Sequence, residues 1–130
     1  MARILVVEDN AINRRIACRL LEKAGHQAES ACNGMDAVTA AKRGAYDLIL
    51  MDLQMPVMDG LVATMSIRNL ENGVRRTPII ALTASDPWSN RDKCMEAGMD
   101  GYLNKPIDIS QLYQTVEDWI HTCATSVDAA

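Results

Sequence analysis

Tyr46-Asp-Leu-Ile-Leu-Met51, closed by Asp52, is the stretch that decides the fold. An apolar run without polar alternation suits a strand buried on both faces, the kind found in parallel sheets. Two other runs read the same way. Arg3-Ile-Leu-Val-Val7 is followed by Glu8-Asp9, and Pro78-Ile-Ile-Ala-Leu82 by Thr83. Ala28 to Cys32 reads as a weaker strand, and Gly101-Tyr-Leu-Asn104 as a short one followed by Lys105-Pro106.

Helical stretches alternate with these strands. The first carries Ile12, Ile16, Ala17, Leu20, Leu21 and Ala24 at helical spacing and stops at Gly25. Asn33-Gly34 opens a second, with Ala37, Val38 and Ala41, which ends at Gly44. The loop Gln54 to Gly60 leads into a third, with Ala63, Ile67 and Leu70. A fourth is expected from about Ser89 to Ala97. In the last, Asp108 is the expected cap, Gln111 completes a capping box, and Ile107 and Leu112 are spaced as a hydrophobic staple. Its apolar stripe is Ile109, Leu112, Tyr113, Val116 and Ile120. The expected division is a domain over residues 1–123 and a flexible tail over 124–130. Five βα units with buried strands predict an α/β fold: a parallel sheet covered by helices on both faces.

Composition agrees. The 130 residues suffice for one domain, and 48% apolar against 23% charged residues excludes a disordered chain. With 13 basic and 17 acidic side chains, the net charge of −4 disfavours a nonspecific nucleic-acid binder. There is no Phe, so eight Met and many aliphatic residues must fill the core. Cys18, Cys32, Cys94 and Cys123 are too widely spaced for a zinc or redox motif. His26 and His121 lie away from the strand ends and are expected at the surface. No run approaches the ~20 apolar residues of a membrane helix. Strand residues begin at Arg3, so a cytoplasmic location with reduced thiols is expected.

Parallel strands end at one edge of their sheet, and here that edge collects chemistry. Glu8-Asp9, Asp52, Thr83 and Lys105 each follow a strand. Any one alone has a plain reading, such as a helix cap, a core threonine or a solvated lysine. Together they form an acidic cluster with one hydroxyl and one ammonium, where open α/β sheets bind ligands. Crowded carboxylates repel unless a cation joins them, and an all-oxygen set suits a hard ion such as Mg²⁺. With Lys105 the charge nearly balances and leaves room for an anion. A phosphoryl group fits, and a carboxylate is a recognised phosphoryl acceptor.

At these residues the chain resembles the receiver domain of two-component response regulators. The resemblance rests on Ile4-Leu-Val-Val-Glu-Asp-Asn10, Asp47 to Pro56 with Met58-Asp-Gly60, Ile80-Ala-Leu-Thr-Ala84 and Gly101-Tyr-Leu-Asn-Lys-Pro106. It implies a flavodoxin-like doubly wound sheet of five parallel strands in order 2-1-3-4-5, with five helices. It further implies Asp52 as phosphoacceptor, and Mg²⁺ held by Glu8, Asp9, Asp52 and the backbone carbonyl of Gln54. Thr83 and Lys105 match the phosphate-binding hydroxyl and lysine, Thr83 and Tyr102 the switch pair, and Lys105-Pro106 the family's cis peptide. The small Ala84 would leave the phosphoryl site open. Asn13-Arg14, Asn33-Gly34 and Gln54-Met-Pro56 are most similar to receivers attached to hybrid histidine kinases.

The implied donor is the phosphohistidine of a histidine kinase or a histidine phosphotransfer protein. The implied output surface is the face of helix four, strand five and helix five. The resemblance implies a monomer or a weak phosphorylation-dependent dimer, without nucleic-acid or direct membrane contact. It also implies no turnover catalysis beyond gain and loss of the domain's own phosphoryl group. The alternative within the family is a module of a larger hybrid kinase rather than a stand-alone regulator. Two rivals fit worse. An aspartyl-phosphate phosphatase would need an acid two residues after Asp52, where Gln54 stands, and a flavodoxin would not place Glu8-Asp9 beside the FMN phosphate.

Overall fold

The computed structural model describes residues 2–44, 46–53, 60–71, 77–83, 87–104 and 108–129, apart from the side chains of 87–91 and 121–129. Its elements are β1 Arg3–Val7, α1 Ala11–Lys23, β2 Gln27–Ala31, α2 Gly34–Arg43, β3 Leu48–Asp52, α3 Gly60–Glu71, β4 Ile79–Thr83, α4 Pro87–Ala97, β5 Gly101–Asn104 and α5 Ile109–Ala129. The strands form one sheet in the order β2-β1-β3-β4-β5, and every pair is parallel. Fold class, strand order and helix number are those expected.

Strand residues divide by parity between two cores, because successive side chains point to opposite faces. Ile4, Val6, Leu48, Leu50, Ile80 and Leu82 pack with Ala17 and Leu21 of α1 and Leu112 and Val116 of α5. Leu5, Val7, Ile49, Met51, Ile79 and Ala81 pack with Ala37 of α2, Ala63 and Ile67 of α3, and Cys94 of α4. Burial on both faces is why the central strands read as unbroken apolar runs. Edge strand β2 buries only Ala31, hence its weak signal.

Local chemistry sets the helix ends. Asn10 Oδ1 accepts the Ile12 and Asn13 amides at 2.9 and 3.0 Å, and Asn33 Oδ1 accepts that of Asp36 at 2.8 Å. Asp108 Oδ1 accepts the Gln111 amide at 3.0 Å, as expected, while Ile107 of the staple lies outside the described residues. Gly25 and Gly98 have φ of 93° and 106°, the left-handed conformation that ends α1 and α4. Helix α4 starts at Pro87, two residues before the expected Ser89, with proline well suited to a first helical position. Helix α5 continues through the expected tail to Ala129.

Three apolar stripes are narrower than their spacing suggested. In α1, Ala17 and Leu21 are buried, but Ile12 and Ile16 are 70% and 49% exposed. Ile16 and Ala17 are neighbours, about 100° apart around the helix, so both lines cannot face the sheet. Leu70 and Ile109, at the margins of α3 and α5, are also exposed. His26 is a correction of another kind. Its side chain is only 8% exposed; Nδ1 accepts the Ala2 amide at 3.1 Å, and Nε2 lies 3.9 Å from Glu117. Its position just before β2 tucks it against β1 and α5. The side chain of His121 is not among those described.

One cation joins α3 to the β4 and β5 approaches. Arg68 Nε donates to the Gly98 carbonyl at 2.9 Å, Nη1 to Glu71 and the Thr77 carbonyl at 2.7 and 2.8 Å, and Nη2 to Asp100 at 2.7 Å. Asp100 in turn accepts the Ile79 amide at 2.9 Å, and all three charged side chains are largely buried. Arg68→Met would leave two carboxylates in poor contact with water. It should lower unfolding free energy by about 3 kcal/mol in urea titration, whereas Gln114→Ala on the α5 surface should change it by under about 0.5 kcal/mol.

Candidate phosphoacceptor site

Three carboxylates meet at the carboxyl edge of the sheet. Glu8 directly follows β1 and Asp52 ends the adjacent β3; they are 2% and 3% exposed. Asp9 is exposed beside them, and one oxygen from each of the three lies within 4.8 Å of the others. Asn10 takes the capping role open to Asp9, so the Asp9 carboxylate is not spent on α1. Glu8 Oε1 accepts the Asn10 amide at 3.3 Å.

Register places the remaining candidates. Asp52 pairs with Leu82 across β3 and β4, so Thr83, 5% exposed, ends the next strand one residue further on. Thr83 pairs with Asn104, the last residue of β5 and the one before Lys105 in sequence. Tyr102 pairs with Ala81 and is 44% exposed. Gln54, Ala84, Lys105 and Pro106 lie outside what is described.

Two supporting residues were not singled out by sequence reasoning. Arg14 Nη1 donates to the backbone carbonyls of Glu8 and Asp9 at 2.9 and 3.4 Å, which holds the acidic turn against α1. The usable signal was its place one helical turn after the capping Asn10. Gly60 was read as part of the resemblance and as the loop end that opens a helix, without a role at Asp52. A Cβ there would lie 2.3 Å from the Asp52 carbonyl oxygen and 3.0 Å from Leu53 Cα, so no larger residue fits without moving the Asp52 peptide. The Gly60 amide donates to the Leu53 carbonyl at 3.2 Å, and Thr64 Oγ1 donates to the Gly60 carbonyl at 2.7 Å.

The donor set fits a hard cation: three oxygens, no imidazole or thiolate, and negative charge that such an ion would relieve. The arrangement offers a cation three carboxylate oxygens at one end of the sheet.

The model of the response regulator receiver domain matches residues 4–117. The chain belongs to that family. Among relatives of this receiver, the hybrid signal transduction protein dokA of Dictyostelium discoideum is 44% identical over 119 residues, covering 92% of this chain and 7% of that protein. Hybrid signal transduction histidine kinase G of the same organism is 48% identical over 112 residues, covering 85% and 3%. The receiver thus spans under a tenth of the length of these two relatives.

Solved structures agree. The receiver domain of sensor histidine kinase PA1611 from Pseudomonas aeruginosa, with a magnesium ion coordinated in its active site cleft, is 43% identical; the match covers 92% of this chain and 98% of that one, with a TM-score of 0.84. The receiver domain of Ssk1 from Saccharomyces cerevisiae, in complex with the histidine phosphotransfer protein Ypd1, is 36% identical, with a TM-score of 0.84 and coverage of 90% and 87%. Among the described residues, no helix is long and apolar enough to cross a membrane.

Two outcomes follow from the packing and charge of the site. Gly60→Ala should destabilise the fold by about 1–3 kcal/mol, as overpacking does, and should slow any reaction at Asp52. Asp52→Asn should raise the urea midpoint in the presence of a chelator, because it removes one of three mutually repelling charges.

Proposed function

We propose that this receiver accepts a phosphoryl group on Asp52 from the phosphohistidine of a histidine kinase or a histidine phosphotransfer protein. The observation that carries this reading is the convergence of Glu8, Asp9 and Asp52 oxygens at the end of β1 and β3. Family membership and the names of the relatives support it. A second reading makes this receiver a module of a larger hybrid histidine kinase rather than a stand-alone regulator. The share of their length that the hybrid kinases devote to the matching region favours a module.

Glu8, Asp9, Asp52 and the backbone carbonyl of Gln54 would hold Mg²⁺. Bound there, the ion would offset the charge of the incoming phosphoryl oxygens. An Asp52 carboxylate oxygen forms the new bond to phosphorus as the phosphorus–nitrogen bond of the donor breaks. The bonding pair leaves with the imidazole nitrogen, and no proton need be taken from Asp52. Lys105 would pair with one phosphoryl oxygen and Thr83 would donate its hydroxyl to another. The acyl phosphate is later lost to water, so the domain acts on itself and turns over no separate substrate.

Phosphorylation adds close to two negative charges and strong acceptor oxygens beside Thr83. Drawing Thr83 toward them would leave space that Tyr102 fills from β5. The output surface is accordingly the face of α4, β5 and α5. The setting is the cytoplasm, the assembly a monomer or a weak dimer formed on phosphorylation, and neither nucleic acid nor membrane is bound directly.

Metal binding is tested by thermal unfolding. At about ten times its dissociation constant Mg²⁺ should add about 1.4 kcal/mol of stability. Asp9→Asn should remove most of this gain, and an unchanged melting temperature in millimolar Mg²⁺ counts against the site. Covalent chemistry is tested with acetyl phosphate and Mg²⁺. Intact-mass measurement should show one added phosphoryl group, removed by hydroxylamine and absent in Asp52→Ala. A full adduct on Asp52→Ala would disprove the acceptor assignment.

A further inference from the structure

A second, oppositely charged site lies on the α1, β2 and α2 side of the molecule. A cleft of about 590 Å³ is lined by Arg14, Arg15, Arg19, Glu22 and Ser30, among others. A neighbouring cleft of about 350 Å³ is lined by Arg14, Ser30, Asp36 and Arg43, among others. The two share Arg14 and Ser30 as a common wall. Four arginines thus face two carboxylates, in a chain whose net charge is −4.

These arginines are not consumed by the fold. Among the described residues, Arg15, Arg19 and Arg43 make no ion pair and no side-chain hydrogen bond. Arg14 uses Nη1 for the Glu8 and Asp9 carbonyls, and its Nε and Nη2 make no bond to described residues. Asp36 is already engaged, accepting from the Cys32 thiol at 3.1 Å. Like charges gathered on one concave surface repel, and an anion relieves that repulsion. A guanidinium presents a planar fork that matches two phosphate oxygens at once. The clefts are shallow, but their volumes are those of small-molecule sites.

We propose that this double cleft binds a small polyanion carrying at least two linked phosphate groups, one over Arg15 and Arg19 and one over Arg43, with Arg14 between them. Arg14 makes the site more than a store of charge. The same guanidinium secures the backbone of Glu8 and Asp9, so a ligand that draws on Arg14 alters the acidic turn. The cleft is therefore an input by which a phosphorylated metabolite adjusts the carboxylate site. The proposal does not depend on Asp52 being the phosphoacceptor.

The test is a nuclear magnetic resonance titration of the whole chain with inorganic pyrophosphate, in chelator and low salt. Without a cation the three carboxylates repel the probe, so the titration reads the cleft. The arginine Nε–H signals of residues 14, 15, 19 and 43 and the backbone amides of Glu8, Asp9 and Ser30 should move saturably with one dissociation constant. Arg15→Gln with Arg19→Gln, and separately Arg43→Gln, should each weaken binding by about tenfold or more while leaving the melting temperature unchanged. Orthophosphate should bind more weakly than pyrophosphate. A parallel titration with adenosine diphosphate separates the sources: tighter binding than pyrophosphate assigns a nucleotide, and equal or weaker binding assigns polyphosphate. Shifts that never saturate, or binding undiminished in the triple Arg15, Arg19 and Arg43 to Gln variant, would overturn the site. Saturating arginine shifts with unmoved Glu8 and Asp9 amides would overturn its link to the acidic turn.

Discussion

Two carboxylates, Glu8 and Asp52, are held almost wholly out of water beside a third, and the rest of the molecule is organised to tolerate this. Buried like charges are unfavourable wherever they occur. The parallel sheet makes the crowding unavoidable, because β1 and β3 are neighbours and end at the same edge. What keeps the arrangement intact is the unbroken apolar packing of β1, β3 and β4 beneath it. Those strands bury nearly every residue on both faces, which leaves the backbone no cheaper place to put its strand ends.

Support around the cluster is local. Asn10 caps α1 and so spares Asp9, while Arg14 binds the carbonyls rather than the carboxylates of the acidic turn. A guanidinium paired directly with Glu8 or Asp9 would compete with any cation; one paired with their backbone positions the turn without itself taking a carboxylate oxygen. Gly60 acts on the other side, admitting the third helix to within contact of the Asp52 peptide. The site is thus clamped from α1 and α3, helices on opposite faces of the sheet.

The same Arg14 faces a basic double cleft, so acidic and basic features of this receiver lie back to back across one turn of α1. Arg14 is common to both: its Nη1 holds the Glu8 and Asp9 carbonyls while its side chain lines the two clefts, so a ligand bound in the proposed site would be felt at the acidic turn.

Much of this was legible in the residues themselves. Unbroken apolar runs such as Leu48 to Met51 announce strands buried on both faces, and three of them, with two weaker strands, alternating with helices leave few topologies. The polar residues after each strand then mark one edge, so Glu8, Asp9, Asp52 and Thr83 could be named as a group before any coordinate was known. Periodicity failed where it had to: it shows that Ile12, Ile16, Ala17 and Leu21 share a broad side of α1, not which line meets the sheet. Ile12 and Ile16 are exposed because only one line of a helix fits between β-strand side chains. Burial of His26, the Arg68 junction, the close approach of Gly60 to Asp52 and the grouping of Arg14, Arg15, Arg19 and Arg43 into a cleft all depend on residues far apart in sequence or on helix rotation. Local patterns encode which residues form an element and where it ends; only packing decides what each side chain meets, because contact is set by distance in space and not along the chain.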